Sequence, residues 1–133
     1  MKETFCTVLG MLGSALCWAF GGWDAAMAAL LICMAVDYLS GSIVALVFHN
    51  SRKSESGCYT SVYGLKGLCK KGLMLLFVLV AVQIDRVLGA DYVRDAVCIG
   101  FCSNEIISIV ENLGLAGIPM PAAVTKALEQ LQK

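Results

Sequence analysis

The segment AAMAALLICMAVDYLSGSIVALVF, residues 25–48, decides the fold class of this chain. It runs for 24 residues with a single charged side chain, Asp37, near its centre. About 20 apolar residues in a helix cross the hydrocarbon core of a bilayer, so this segment is long enough to span with some tilt. A charge at that depth costs at least about 2.5–3.5 kcal/mol on insertion scales, which makes Asp37 a candidate functional residue.

The composition of the whole chain agrees with a membrane location. Hydrophobic residues make up 59% of the 133 residues, charged residues only 15%, and the mean hydropathy is +0.78. A soluble domain usually has about 25% charged residues. The length fits one domain, and the formal net charge of zero argues against a nucleic-acid partner. We therefore predict a single membrane domain over residues 1–133.

Three further segments resemble membrane helices. Residues 4–20 carry no charge, residues 72–88 are dense in Leu and Val, and residues 96–113 turn from apolar to amphipathic. A signal peptide is the competing interpretation of the first segment, but Glu3 cancels Lys2 and a second apolar segment follows at once. The pattern predicts an all-α bundle of three to four transmembrane helices. Residues 122–133 form a short amphipathic helix that lies on the membrane or binds a partner helix.

The polar loop at residues 49–71 sets the predicted orientation. It holds five basic residues against one acidic residue, whereas the turn at residues 21–24 has no basic residue. Basic loops stay in the cytoplasm, so we predict a cytoplasmic loop and a cytoplasmic N-terminus. The basic side chains are expected to contact anionic lipid headgroups. They are Arg52, Lys53, Lys66, Lys70 and Lys71.

A polar stripe marks the fourth segment. Its members fall within about 120° of a helical wheel. They are Asn104, Glu105, Ser108, Glu111 and Asn112. The stripe can pack inside one four-helix bundle, line a water-filled pore shared among subunits, or lie flat at the interface. Because a monomer this small has little interior for five polar side chains, the stripe favours homo-oligomers. For Asp37, an interhelical hydrogen bond, pore lining and proton-coupled transport all remain open.

The residues for catalysis or metal binding are sparse. The chain has seven cysteines without a C-x-x-C pair and one histidine, His49. A zinc site needs about four clustered ligands, and a phosphate loop needs a spacing that Gly64–Lys71 does not have. We predict no enzyme activity, no cofactor and no metal.

Four motifs together resemble a known family. They are Asp37-x-x-x-Gly41, the GLKGLxKK pattern of residues 64–71, the NExxSIxEN pattern of residues 104–112, and GIPMP at residues 117–121. With the short terminal helix they cover roughly residues 24–131, and the 104–112 block is the most specific. On these residues the chain resembles the holins of phage lysis and toxin secretion.

That resemblance implies a function. Holins accumulate in the bacterial cytoplasmic membrane, oligomerise, and open lesions through which a cell-wall hydrolase or a large protein toxin escapes. Some use two start codons, and Met1 and Met11 are candidates here. Asp37 and the polar stripe are then expected at a subunit interface or the lesion lumen. Two alternatives are a small proton-coupled transporter working through Asp37 and a non-conducting membrane adaptor using the terminal helix.

Overall fold

All secondary-structure elements in the described part of the chain are helices. The computed structural model describes residues 1–49, 57, 60–131 and 133. Within them lie α1 (Lys2–Ala19), α2 (Ala25–Ile43), α3 (Ser61–Leu88), α4 (Val93–Leu115) and α5 (Ala122–Leu131). A π-helical turn at Val44–Phe48 prolongs α2. The all-α prediction is confirmed.

Three of these helices are long and apolar enough to cross a membrane. They are Ala25–Phe48, Ser61–Leu88 and Val93–Leu115. The short α5 follows them, so the predicted architecture of three to four membrane helices plus a terminal helix is confirmed. α1 is not in this set, because Lys2 and Glu3 lie within its 18 residues and lower its hydropathy. A membrane span over residues 4–20 therefore stays a prediction.

Local chemistry explains where the spanning helices begin and end. The Asp24 carboxylate accepts a hydrogen bond from the Met27 backbone N–H at 3.0 Å and caps α2. The Thr60 hydroxyl accepts one from the Tyr63 N–H at 3.1 Å and caps α3. α3 ends at Gly89, whose φ of 65° suits glycine. Because α3 begins at Ser61, the second half of the predicted loop at 49–71 is helical.

The core lies where α2, α3 and α4 meet. α4 packs mainly against α2 and then against α3. The buried apolar side chains of the core come from all three helices, and Leu30, Val78 and Cys98 are fully enclosed. The other faces of these helices expose large apolar side chains, as a surface in contact with lipid requires. α1 has no buried residue.

Candidate functional site: a buried ion cluster

Three charged side chains meet between α2, α3 and α4. The Lys71 ammonium lies 2.8 Å from an Asp37 carboxylate oxygen and 2.5 Å from a Glu105 carboxylate oxygen. The exposed fractions of the side chains are 14% for Lys71, 8% for Asp37 and 2% for Glu105. Each residue comes from a different helix, so the cluster ties the three predicted spans together.

Asn112 and Ser40 complete the hydrogen bonding around Asp37. The Asn112 amide donates to the Asp37 carboxylate at 3.3 Å and to the Ser40 hydroxyl at 3.0 Å. The Ser40 hydroxyl donates to the Asp37 backbone carbonyl at 3.1 Å. Within the described residues, every buried side-chain nitrogen and oxygen atom has a hydrogen-bond partner. Such complete pairing is what makes a buried polar cluster tolerable.

Lys71 departs from its predicted place at the membrane surface. The sequence placed it among the side chains that contact headgroups, but its ammonium lies inside the bundle. Lys66 and Lys70 are exposed on the same helix, and Arg52 and Lys53 lie outside the described residues. Successive helical residues are about 100° apart, so Lys70 and Lys71 face different surroundings. Asp37 thus has a basic partner that the sequence did not reveal, because Lys71 belongs to another helix and precedes the apolar residues 72–88.

The polar stripe divides into inner and outer parts. Glu105 and Asn112 are buried, Ser108 is half-buried, and Asn104 and Glu111 are exposed. A single chain therefore shelters two of the five side chains itself. This corrects the expectation that the whole stripe needs several copies, because Lys71 and Asp37 supply charge and hydrogen-bond partners within one chain.

A cavity lies next to the cluster. Its volume is about 260 Å³, and α2, α3 and α4 all contribute to its wall. The carboxylates and ammonium of the cluster form one part of this wall. Lys66 and Lys70 of α3 and Asn104 and Ser108 of α4 form another. Asn104 and Ser108 of the stripe and two lysines of α3 therefore line the same cavity beside the ion cluster.

Arg94 organises the opposite end of the bundle. Its guanidinium donates to the backbone carbonyls of Phe20 at 2.7 Å and Gly22 at 3.0 Å. It also donates to both carboxylate oxygens of Asp24, at 2.6 and 3.1 Å, and to Asp95 at 3.1 Å. This one side chain joins the start of α4 to the turn between α1 and α2. The sequence does not reveal this role, because two of the partners of Arg94 are backbone carbonyls more than 70 residues away.

Asp85 holds the second turn at this end. Its carboxylate accepts hydrogen bonds from the backbone N–H groups of Val93 at 3.0 Å and Arg94 at 2.9 Å, at the first turn of α4. Arg86 donates to the Trp18 carbonyl and stacks 4.0 Å from the centre of the Trp18 ring. The turns after α1 and after α3 therefore lie at the same end of the bundle.

The electrostatics of the turn follow from Arg94. Its guanidinium donates hydrogen bonds to Asp24 and holds the pKa of that carboxyl below its ordinary value of 3.8. The Met27 backbone N–H adds to the effect. Asp24 therefore stays ionised well into the acid range.

Comparison with known proteins identifies the family. The sequence profile of the bacteriophage holin family matches residues 14–133. This chain belongs to that family. The resemblance drawn from the sequence motifs is thereby confirmed. The match covers all of the ion cluster, the polar stripe and the Arg94 turn.

Relatives of this holin-family chain occur in bacteria and in a phage. An uncharacterised protein of Clostridium perfringens is 41% identical over 130 residues, covering 95% of this chain and 90% of the relative. An uncharacterised 14.9 kDa protein in the nagH 3′ region of C. perfringens is 40% identical over 122 residues, with 90% and 86% coverage. A probable holin of Bacillus phage phi105 is 31% identical over 104 residues, covering 77% of this chain and 71% of the relative. No solved structure matches the chain.

Proposed function

We propose that this protein is a holin that assembles with copies of itself in the bacterial cytoplasmic membrane. The assembly opens lesions, and a cell-wall hydrolase or a large protein toxin leaves the cytoplasm through them. Membership of the holin family and the similarity to a probable phage holin support this function. In this proposal the chain itself performs no chemical reaction, and its activity is assembly.

The observation that carries the proposal is the uncovered part of the stripe. Asn104 lies near the middle of α4, a helix of membrane-spanning length, and it is exposed in the single chain. Glu111 is exposed two turns further along. A polar group facing hydrocarbon without a partner costs several kcal/mol. Pairing of this face with another copy, or with water in a lesion, removes that cost.

The buried ion cluster then defines the resting state. The cluster pairs Asp37, Lys71 and Glu105 within one chain. A single copy therefore keeps these three charged groups away from lipid. When copies assemble, α4 rotates about its own axis. The charged groups then leave their contacts within one chain and face the lumen of the lesion. This gives a role in assembly or the lumen to Asp37 and to all five stripe residues.

The basic residues set the proposed orientation. Arg52, Lys53, Lys66 and Lys70 belong to the segment between α2 and α3 or to the start of α3. By the positive-inside rule this end faces the cytoplasm. The turns joined by Arg94 then face outward, and the N-terminus lies in the cytoplasm.

An expression experiment tests the proposal through the uncovered stripe residues. The N104L/E111L variant removes an amide and a carboxylate from the exposed part of the stripe. Its matched control, Q130L/E129L, makes the same chemical changes on the exposed surface of α5. The wild type and both variants are induced in bacteria while a potential-sensitive dye and the release of a cytoplasmic enzyme are followed.

We expect the wild type and the control to collapse the membrane potential and release the enzyme. N104L/E111L should be delayed or silent at equal membrane content. If the wild type releases no cytoplasmic enzyme, the proposal that it forms lesions is contradicted. A pH-driven flux without loss of large solutes supports the transporter instead, and a chain that is harmless at high level supports the adaptor.

A further inference from the structure

We propose that the cavity between α2, α3 and α4 binds the phosphate group of one anionic phospholipid. The cavity volume is about 260 Å³. Pockets that enclose drug-sized ligands usually have about 300–1,000 Å³, so this cavity suits a single headgroup rather than a larger molecule. The inference rests on insertion of the chain in a membrane and does not depend on lesion formation.

The charges of the cavity favour an anion at one edge. Lys66 and Lys70 are four residues apart on α3, so they share one helix face, and both line the cavity. Among the residues that the structure describes, neither ammonium group forms an ion pair. The Lys71 ammonium is already paired with both carboxylates of the cluster. The three lysines and two carboxylates in the wall carry a formal charge of +3 − 2 = +1. Within the described residues, the positive charge that has no ion-pair partner lies at Lys66 and Lys70.

The cavity wall also presents groups that can donate hydrogen bonds. Asn104 and Ser108 of α4 line the same cavity as the lysines of α3. Amide and hydroxyl groups donate to phosphate oxygens, and lysine binds phosphate as a point charge. The cavity therefore combines two cations with neutral donors, the combination expected at a basic headgroup pocket between membrane helices.

The length of α3 places this edge at the level of lipid headgroups. Its 28 residues extend for about 42 Å at about 1.5 Å per residue, against a hydrocarbon core of about 30 Å. The surplus of about 12 Å corresponds to about eight residues. We place it at the start of the helix, because the basic residues gather there and residues 72–82 are apolar. Lys66 then meets the headgroup layer. Lys70 lies two residues, or about 3 Å, below the surplus, and its long side chain can extend to the headgroups, so we infer a lipid phosphate rather than soluble phosphate.

A thermal titration in neutral detergent tests the inference. The unfolding midpoint of the purified chain is measured against added phosphatidylglycerol, phosphatidylcholine with the same acyl chains, and inorganic phosphate. The site variant is K66Q/K70Q, and the matched control is K2Q/K126Q, which removes the same charge from exposed lysines outside the cavity. K66R/K70R keeps the charge and tests whether binding is retained. Native mass spectrometry of the wild type counts the retained lipid directly.

We expect phosphatidylglycerol to raise the midpoint, with one lipid retained per chain. Each lysine near a lipid surface contributes roughly a fivefold gain in affinity, so K66Q/K70Q should weaken the lipid affinity roughly 25-fold. K66R/K70R should keep the affinity, and K2Q/K126Q should change it less than about threefold. Equal losses in the two Gln variants, equal effects of the two lipids, or inorganic phosphate acting as well as the lipid would overturn the proposal. If K66Q/K70Q does not fold, a wild type that retains no phosphatidylglycerol in the mass spectrum has the same consequence.

Discussion

At the scale of single residues, the stability of the fold depends mainly on how the charges of the buried cluster are paired. One ammonium faces two carboxylates in a site from which water is largely excluded. Taking charges out of water is costly, and only close pairing with full hydrogen bonding compensates for it. Loss of the Lys71 ammonium would leave two carboxylates buried without a counterion. We therefore expect its removal to lower the free energy of unfolding by more than either ion pair contributes on its own.

The first prediction concerns the loss of that ammonium. K71M leaves two carboxylates buried side by side, and removal of one partner from a buried pair typically costs about 3–5 kcal/mol. We expect that drop in the free energy of unfolding in detergent micelles. The triple variant K71M/D37N/E105Q, which leaves no charge in the cluster, should regain most of it. K126M, on the exposed surface of α5, is the control. A triple variant no more stable than K71M would refute the charge-balance explanation.

The second prediction follows from the lowered pKa of Asp24 in the turn beside Arg94. A carboxyl group whose pKa is lower in the folded state contributes its full stabilisation above its ordinary pKa of 3.8. That contribution is lost as the pH falls through the lower pKa of the folded state. D24N keeps a good helix cap but does not titrate.

We expect wild type to be the more stable protein at neutral pH and to lose that advantage over D24N below about pH 4. The measurement is the unfolding free energy as a function of pH. D91N, an exposed carboxylate in the next turn, should keep the acid-dependent loss. A constant difference between wild type and D24N at every pH would contradict the assignment.

At the scale of helices, close contact between α2 and α3 depends on Gly67. A Cβ atom at this position would lie 3.3 Å from the Tyr38 ring. The Tyr38 hydroxyl donates to the Gly64 carbonyl one turn earlier, at 3.5 Å. Gly67 lets the tyrosine ring lie against the α3 backbone, where the hydroxyl reaches the Gly64 carbonyl.

The third prediction uses this contact. G67L should lower the free energy of unfolding by about 1–3 kcal/mol, because overpacking forces the helices apart. G72L is the matched control on the same helix, since a Cβ at Gly72 would have no neighbour within 4 Å. Equal stability of the two variants would show that α2 and α3 do not pack closely at Gly67.

Hydropathy predicted the spanning helices better than their orientation around their own axes. The end of the second segment at Phe48 agrees with the end of the π-helical turn, because the apolar residues stop there. α3 begins at Ser61, before the predicted span at 72–88, because a helix capped by Thr60 can begin well before the apolar segment. The inward direction of Lys71 was missed, because it depends on carboxylates that α2 and α4 supply.

For the candidate site too, the sequence indicated the individual residues but not the contacts between them. Asp37, Glu105 and Asn112 were recognised from their position in apolar or amphipathic segments. Their mutual contacts were not, because residues 34 or 75 positions apart meet only when three helices pack. Arg94 gave no signal in the sequence, since its partners include backbone carbonyls that no side-chain pattern reveals.

At the scale of the whole molecule, the described part of the bundle pairs its buried polar side chains internally but leaves polar side chains exposed on its surface. The ion cluster is satisfied within one chain, whereas Asn104 and Glu111 are exposed on a helix of spanning length. The partner that suits this surface is another copy. The central claim is that copies of this chain alone open a lesion wide enough for a folded protein.

The most direct measurement uses purified protein in phosphatidylglycerol vesicles that contain both a small dye and a folded fluorescent protein. We expect both cargoes to escape once the number of copies per vesicle passes a threshold. The N104L/E111L variant should need more copies, and Q130L/E129L should behave as wild type. Release of dye with full retention of the protein, or of neither cargo at any density, would contradict the account.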